Sequence, residues 1–503
     1  VLLLLGRKSQ ENLLRREAKV EDLTQAQSRP NVVVLFPDQL RAQSLPLYSQ
    51  KYGAQQISTP NIDRLASQGA TLDNAISNCP VCTPARAMLV TGRYPQTTGH
   101  LINTTRTRHS EISIADAFAN AGYKTAWIGK WHLHTGLWPA LDRMPQHPDW
   151  VPEGRDRLGF EYWRAYNQHM VYFSGFVHKD DWNYERWEGY ETDGLFNYAQ
   201  EFMGNSGDDP FLMFLSPHQP HYTPFEFAPQ KFYDALPKNL VLPSNVPAEQ
   251  TDNALEMMRH YLAMILAIDE MLGNLLDDLE RRGLADNTIV VLASDHGTQG
   301  GSQGVNPWSK KNPYDASIHV PGIIRFPGKI SPGSRIDTVT SMVDWFPSIC
   351  GLAGVSVPRS IEGQDLSAHW RGDASKIAAQ TEPESAFIMN FSKYFDWFKN
   401  GAEWRGVRTK THTYALWLDG REELYDLQAD PLQMNNLSAD ASSQDLLGQM
   451  RIQLVDHQHR RQDQLQPCEE AKSWLDDQRR VVKNAFGELS HPESVPDWSL
   501  LNG

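Results

Sequence analysis

Charged and imidazole side chains recur in this chain at one kind of place, just past the end of a short apolar run. Asp38 follows the run 32–36, Lys130 ends the run that starts at Tyr123, His218 follows 211–215, and Asp295-His296 follow 288–293. Each run reads as a buried strand, and open α/β sheets bind ligands along the edge where such strands end. One Asp or His after a strand is ordinarily a turn residue or a helix cap; the recurrence at four strand ends is what argues for a site. Asp38 and Asp295 cannot both stay ionised at close quarters without a cation. A hard divalent ion on carboxylate and amide oxygens, with Gln39 and His296 as neighbours, resolves that conflict. Arg86, Lys130 and Lys310 are placed to clamp a tetrahedral oxyanion, so the set suits metal-assisted cleavage of a sulfate or phosphate ester.

A second cluster lies in Cys82-Thr83-Pro84-Ala85-Arg86-Ala87-Met88-Leu89-Val90-Thr91-Gly92-Arg93. It puts a cysteine at a helix start, where N–H groups and the helix dipole favour anionic chemistry. Cys79-Pro80-Val81-Cys82 also reads as a CxxC pair for redox exchange or half a metal site. There is no second CxxC, and a redox reading leaves Arg86, Lys130 and both aspartates without a role.

The elements that must position these groups alternate between strand and helix over some 330 residues, which predicts an α/β fold around a mostly parallel sheet. Helices are expected over 60–67, 83–90, 255–279 and from the Ser113 cap to Asn120, with a further strand within 319–326. The segment 138–190, rich in Trp, Tyr and Pro, reads as a long insertion between core elements. Past residue 380 the alternation fades into short antiparallel strands over 404–425 and a polar helix over 444–464. The expected division is a leader or linker 1–29, a catalytic domain 30–380 and a smaller α+β domain 381–503. Of 503 residues, 40% are hydrophobic and 21% charged, a globular balance. The formal charge of −14 argues against non-specific nucleic-acid binding. No apolar run is long enough to span a membrane, and four cysteines do not build a disulfide scaffold. The apolar start, Val1 to Leu5, is compatible with the remnant of a secretory segment, hence a secreted or periplasmic protein.

The Cys82 segment resembles the sulfatase family signature, Cys-x-Pro-x-Arg closed by Thr-Gly-Arg. Gly122-Tyr123-Lys124-Thr125-Ala126-Trp127-Ile128-Gly129-Lys130-Trp131-His132 is similar to the second family signature. Ser294-Asp295-His296-Gly297, Pro217-His218-Gln219-Pro220-His221, Lys310 before Tyr314-Asp315, and Glu423-Leu424-Tyr425-Asp426-Leu427 match further pieces in family order, from about Pro30 to Asn436. The resemblance implies an alkaline phosphatase-like fold: a large α/β domain and a small C-terminal domain with an antiparallel sheet.

It also implies that Cys82 is oxidised to formylglycine by a maturation enzyme. An aldehyde hydrate offers two hydroxyls, one to attack sulfur and one to collapse and eject sulfate. Asp38, Gln39, Asp295 and His296, with position 82, would hold Ca²⁺ rather than Mg²⁺. Arg86, Lys130 and His132 would position the hydrate and the sulfate, while His218 and Lys310 would face the leaving oxygen, His218 as the acid. His221 is the alternative to His218, and Lys311 to Lys310. The implied substrate is a sulfated carbohydrate. Asp38-Gln39 departs from the paired Asp of many sulfatases and is also similar to phosphonate and phosphodiester hydrolases, whereas Lys130 and His132 favour sulfate; aryl sulfatase activity is a further alternative. Cys79 is close enough in sequence to compete for Cys82 as a disulfide.

Aromatic residues of the insertion, Trp163, Tyr166, Tyr172, Trp182, Trp187 and Tyr190, would either stack on sugars or pack the segment down. Trp163, Tyr172, His221 and His100 are taken as substrate contacts. Arg106, Arg108 and His109 read as a solvated basic loop, and His457-Gln458-His459 as an exposed surface feature.

Overall fold

The sequence NVVVL at Asn31–Leu35 is buried on both faces, and its alternate residues enter two different cores. Val32 and Val34 join one apolar cluster, Val33 and Leu35 the other. A strand can do this only at the centre of a sheet covered on both sides. The computed structural model describes residues 29–49, 51–52, 57–135, 149–377 and 381–501, so the expected leader lies outside it except for Arg29.

Ten strands form the main sheet: β1 Asn31–Leu35, β2 Ala70–Leu72, β3 Lys124–Lys130, β4 Tyr162–Tyr166, β5 Phe176–His178, β6 Tyr184–Arg186, β7 Phe211–Ser216, β8 Thr288–Ala293, β9 Gly322–Arg325 and β10 Ser334–Ile336. Their order is β10-β2-β9-β8-β1-β7-β3-β4-β5-β6. The central block β8-β1-β7-β3-β4 is parallel, so the carboxyl ends of β1, β3, β7 and β8 share one edge. The segment 138–190 is not an insertion apart from the core: it supplies β4, parallel to β3, then β5, antiparallel to β4, and β6, antiparallel to β5. Its strands are short and lack alternation because β4 packs inside the sheet while β6 is largely exposed.

Helices α1 Pro60–Gln68, α2 Cys82–Thr91, α3 Ile114–Asn120, α4 Glu191–Asn205, α5 Thr251–Arg281 and α6 Trp345–Ala353 flank the sheet. Residues of α1, α4 and α5 line one core, and those of α2, α3 and α6 the other. Ser113 caps α3 as expected, accepting from the Asp116 N–H while Asp116 accepts from the Ser113 N–H. The strand within 319–326 is shorter than expected and runs antiparallel to β8.

A second, four-stranded antiparallel sheet follows: β11 Ala386–Asn390, β12 Trp404–Arg408, β13 His412–Trp417 and β14 Glu422–Asp426. The helix α7 Gln444–Arg460 packs on it. Phe387, Met389 and Val407 share an apolar cluster with Met88 and Leu89 of α2, so the two sheets enclose one continuous core. The tail then returns to the first half of the chain, where Arg108 donates to the Val481 and Ser490 carbonyls and Asn484 to that of Thr97.

Candidate functional site

The four strand ends converge as the shared edge requires. Asp38 lies past β1, Lys130 is the last residue of β3, His218 lies past β7, and Asp295 and His296 past β8; all five are buried. Into this edge α2 projects its first turn. Its Thr83 N–H donates to the Asn103 side chain at 3.0 Å, and the Thr83 hydroxyl to the His132 carbonyl at 2.7 Å. The helix starts with Cys82 itself, one residue earlier than the pattern suggested.

Arg86, one turn on and wholly buried, ties the site together. Its Nε donates to Asp295 Oδ2 and one Nη to Asp38 Oδ2, both at 3.1 Å. The other Nη reaches the Lys130 carbonyl and Ser216 Oγ, both at 3.0 Å. Planar forked donors are needed to hold two carboxylates at once. One oxygen of each aspartate is therefore committed to Arg86. The second oxygens, with Cys82 Sγ and His296 Nε2, form a set whose ligand atoms all lie within 4.8 Å of one another. His296 Nδ1 donates to the Gly297 carbonyl at 3.0 Å, which turns Nε2 toward the group, 3.2 Å from Cys82 Sγ. Two carboxylate oxygens and an imidazole lone pair at one buried point fit a divalent cation. Gln39, at φ 68°, turns its Oε1 to Lys310 Nζ at 3.2 Å and its Nε2 to the Trp308 carbonyl. That oxygen retains one lone pair for a cation.

The electrostatics follow from this crowding. Burial pushes the Asp38 carboxyl up, but Lys130 at 2.7 Å, with His221, Arg86 and Lys310, outweighs it and holds Asp38 well below the usual range. Burial and the Asp38 charge push Asp295 up. Burial and Asp38 would raise the Cys82 thiol, yet Lys130, Lys310 and His296 lower it well below the ordinary range. Lys310 Nζ is 3.3 Å from that sulfur. Lys311 instead donates to the Lys393 carbonyl, so of the two lysines Lys310 is the one bonded to Cys82. His218 Nδ1 donates to the His169 carbonyl at 2.7 Å, so Nε2 accepts from Lys130 Nζ at 2.8 Å. Burial and Lys130 hold this imidazole neutral, its pKa well below the ordinary value. His132, at φ 59°, is buried with its ring beside Cys82; burial and Lys130 lower its pKa.

The proposed substrate contacts fare differently. His221 packs its ring on His218 at 4.9 Å and is half-buried at the rim. Tyr172 is buried and donates to the His221 carbonyl at 2.8 Å, so it braces the loop and presents no face to a ligand. Trp163 lies in the core between Trp131 and Arg157. His100 is fully buried on Thr107 Oγ1, and none of its bonds reaches the Cys82 group. Of the aromatic set, Tyr166, Trp187 and Tyr190 are also buried, and Trp182 alone is exposed. These side chains pack a sheet edge.

Three other expectations need correction. Arg108 is buried on tail carbonyls, and Arg106 and His109 bind Asp156, so this is no solvated loop. His457 is buried, stacked on Phe387 and bonded to Ser385, while His459 is exposed. All four cysteines are free thiols, and Cys79 packs in the core.

Several residues at the site were missed. Buried Glu191, first residue of α4, accepts from the His218 N–H, Gln219 and the Tyr166 hydroxyl. Burial pushes its pKa up to about 7. Tyr261 on α5 donates to the Gln39 carbonyl at 2.6 Å. The β11–β12 loop brings the Phe395 ring against Lys310, and the Phe395 carbonyl accepts from the Asn103 N–H. No sequence motif marks these positions; only folding brings them here.

Comparison with known proteins places these features in a family. The sulfatase family model matches residues 30–355, and the model for the C-terminal part of N-sulphoglucosamine sulphohydrolase matches 305–460. The ulvan-active sulfatase of Formosa agariphila is 34% identical over 440 residues, 84% of this chain and 80% of that one. The endo-4-O-sulfatase of Bacteroides thetaiotaomicron is 31% identical over 468 residues, 82% and 89%. A Bacteroides thetaiotaomicron structure solved in work on the metabolism of multiple glycosaminoglycans superposes with a TM-score of 0.74 at 28% identity, covering 84% of this chain and 94% of the other.

Proposed function

This chain belongs to the sulfatase family, and from that premise we propose that it removes sulfate from a sulfated carbohydrate at the pocket around position 82. One observation carries the reading: Arg86 holds one oxygen of Asp38 and of Asp295 and leaves the others facing Cys82 and His296, with Lys130 and Lys310 alongside. The saccharide class rests on the ulvan-active and endo-4-O-sulfatase relatives.

Asp38, Asp295 and His296, with Gln39 and position 82, would hold a divalent cation, Ca²⁺ by the predominance of oxygen donors. Bound there, it would supply Lewis acidity and charge for an anionic ester. Cys82 would be converted to formylglycine by a maturation enzyme, giving a hydrate as nucleophile. The chain's own cations bind and orient the sulfate: Lys130 Nζ and Lys310 Nζ flank position 82. His132, buried with its ring beside Cys82, would hydrogen-bond the group at position 82.

Protonation of the leaving oxygen falls to His218 and Lys310, and their resting states differ. His218 Nε2 accepts from Lys130, so it needs a proton before it can donate, whereas the Lys310 ammonium is already a donor aimed at position 82. The Lys310→Ala variant should therefore lose much more rate on sugar sulfates than on an activated aryl sulfate, whose leaving group needs no acid, by about 10²-fold or more. Equal losses on both would remove Lys310 from that role.

Gln39 in place of a second aspartate favours a second reading, hydrolysis of phosphonate monoesters or phosphodiesters. Lys130 and His132 at the same site weigh against it. The deciding experiment compares sulfate release from defined sulfated oligosaccharides with turnover of aryl sulfate and aryl phosphonate, using matured chain and Cys82→Ala. Peptide mass at position 82 reports the conversion. Faster phosphonate than sulfate turnover would overturn the proposal. Among the described residues no helix is long and apolar enough to cross a membrane, and acting on a polysaccharide fits a secreted or periplasmic location.

A further inference from the structure

Beside the catalytic edge lies a groove of 430 Å³, within the roughly 300–1,000 Å³ typical of small-molecule sites. Its near walls start one bond away from the site. Trp308 holds Gln39 Nε2 through its carbonyl, and Tyr222 holds His221 Nδ1 through its carbonyl at 2.7 Å. The rings of Trp308 and Tyr222 meet edge-on at 5.6 Å, and Phe227 stacks behind Trp308 with its plane tilted by 10°. Phe225 stands on the rim at 60% exposure and Tyr222 at 41%. An exposed aromatic beside a rigid stacked wall is a costly way to fold a loop, yet it suits the apolar face of a sugar ring. The polar lining is Asn253, Glu256 and His260 on α5 with Thr223 and Asn306, and it includes no lysine or arginine. Lys311 and Lys393, on or near the β11–β12 loop, lie instead beside Lys310 and line no part of this groove.

We propose that this groove is a second saccharide subsite, which takes the sugar next to the sulfated one when that neighbour bears no sulfate or carboxylate. The inference rests on the carbohydrate sulfatase reading and extends it to a substrate of at least two sugars with a defined charge pattern. Amides and one carboxylate bond hydroxyl groups; without a cation, Glu256 repels an anionic substituent. Continuity with Gln39 and His221 commits the groove to the same chain that the catalytic pocket holds.

The test uses the matured full-length chain, 4-methylumbelliferyl sulfate, sulfated monosaccharides, and sulfated tetrasaccharides of two kinds: from a carrageenan in which the sugar next to the sulfated one is neutral, and from ulvan and chondroitin 4-sulfate, in which it is a uronate. The neutral-neighbour tetrasaccharide should be preferred over the uronate ones, and on it Phe225→Ala should raise the ratio of tetrasaccharide KM to monosaccharide KM about five- to tenfold, with kcat little changed; preference for a uronate chain by the unsubstituted enzyme overturns the subsite. Glu256→Lys should shift preference toward chains sulfated on the neighbouring sugar. An unchanged ratio in both variants, with saccharides still hydrolysed, overturns the subsite alone. If no sulfated saccharide is hydrolysed while the aryl sulfate is, the carbohydrate reading falls and the subsite with it.

Discussion

Arg86 shows how much of this site depends on a single side chain. It is the only described group bonded to both Asp38 and Asp295, and it does so in a fully buried setting. Removing one member of a buried charge network leaves the others uncompensated, at a cost of about 3–5 kcal/mol. Arg86→Ala should lower the urea midpoint accordingly and abolish sulfate release, and Arg86→Lys should recover stability only in part because an ammonium lacks the fork. Glu191 offers a pH signature at the same scale. Its pKa in the folded chain is about 7, above the ordinary carboxyl value, because it is buried. The protonated form is thus favoured by folding. The stability this contributes is fully present below about pH 4.5 and is lost as pH rises through about 7. Glu191→Gln, which mimics the protonated form, should flatten that decline by up to about 3 kcal/mol, as read from urea titrations between pH 4.5 and 8.

At the scale of elements, the sheet edge is a set of strand ends whose spacing leaves no room for error. Gly129 sits in β3 at φ 100°, and a Cβ there would come within 2.2 Å of the Ser216 carbonyl on β7. Only glycine lets these strands approach closely enough for Lys130 and Ser216 to share Arg86. Gly129→Ala should cost at least about 2 kcal/mol and, by displacing Lys130, reduce kcat more than it raises KM. Calorimetry and steady-state kinetics check the two effects separately. The aromatic segment 162–190 illustrates the opposite case. Its residues resemble a ligand platform by type, yet β4 to β6 bury all but one of those six rings.

For the whole molecule, the C-terminal tail closes the structure. Cys468, Ala471, Trp474 and Leu501 join the same apolar cluster as Met88 and Phe214, and Arg479 donates to the Asp396 carbonyl in the loop beside the site. Burying these side chains contributes roughly 5 kcal/mol or more, a large share of ordinary stability. A chain truncated after residue 466 should therefore yield little folded monomer by circular dichroism and size-exclusion chromatography, even though it keeps every residue of the catalytic cluster.

The sequence alone pointed to the central strands, the helix beside Cys82, and the set of Asp38, Cys82, Arg86, Lys130, His218, Asp295 and His296. Local rules suffice for these: apolar runs of strand length make buried strands, and parallel strands put their ends on one edge. Tertiary structure decided what each neighbour does. Nothing local distinguishes Lys310 from Lys311, or marks Glu191 and Tyr261 as supports, because those contacts join residues far apart in the chain. Burial decided the fate of Trp163, Tyr172 and His100 for the same reason: an aromatic or imidazole side chain suits a ligand and a core equally well, and only the surrounding packing separates the two.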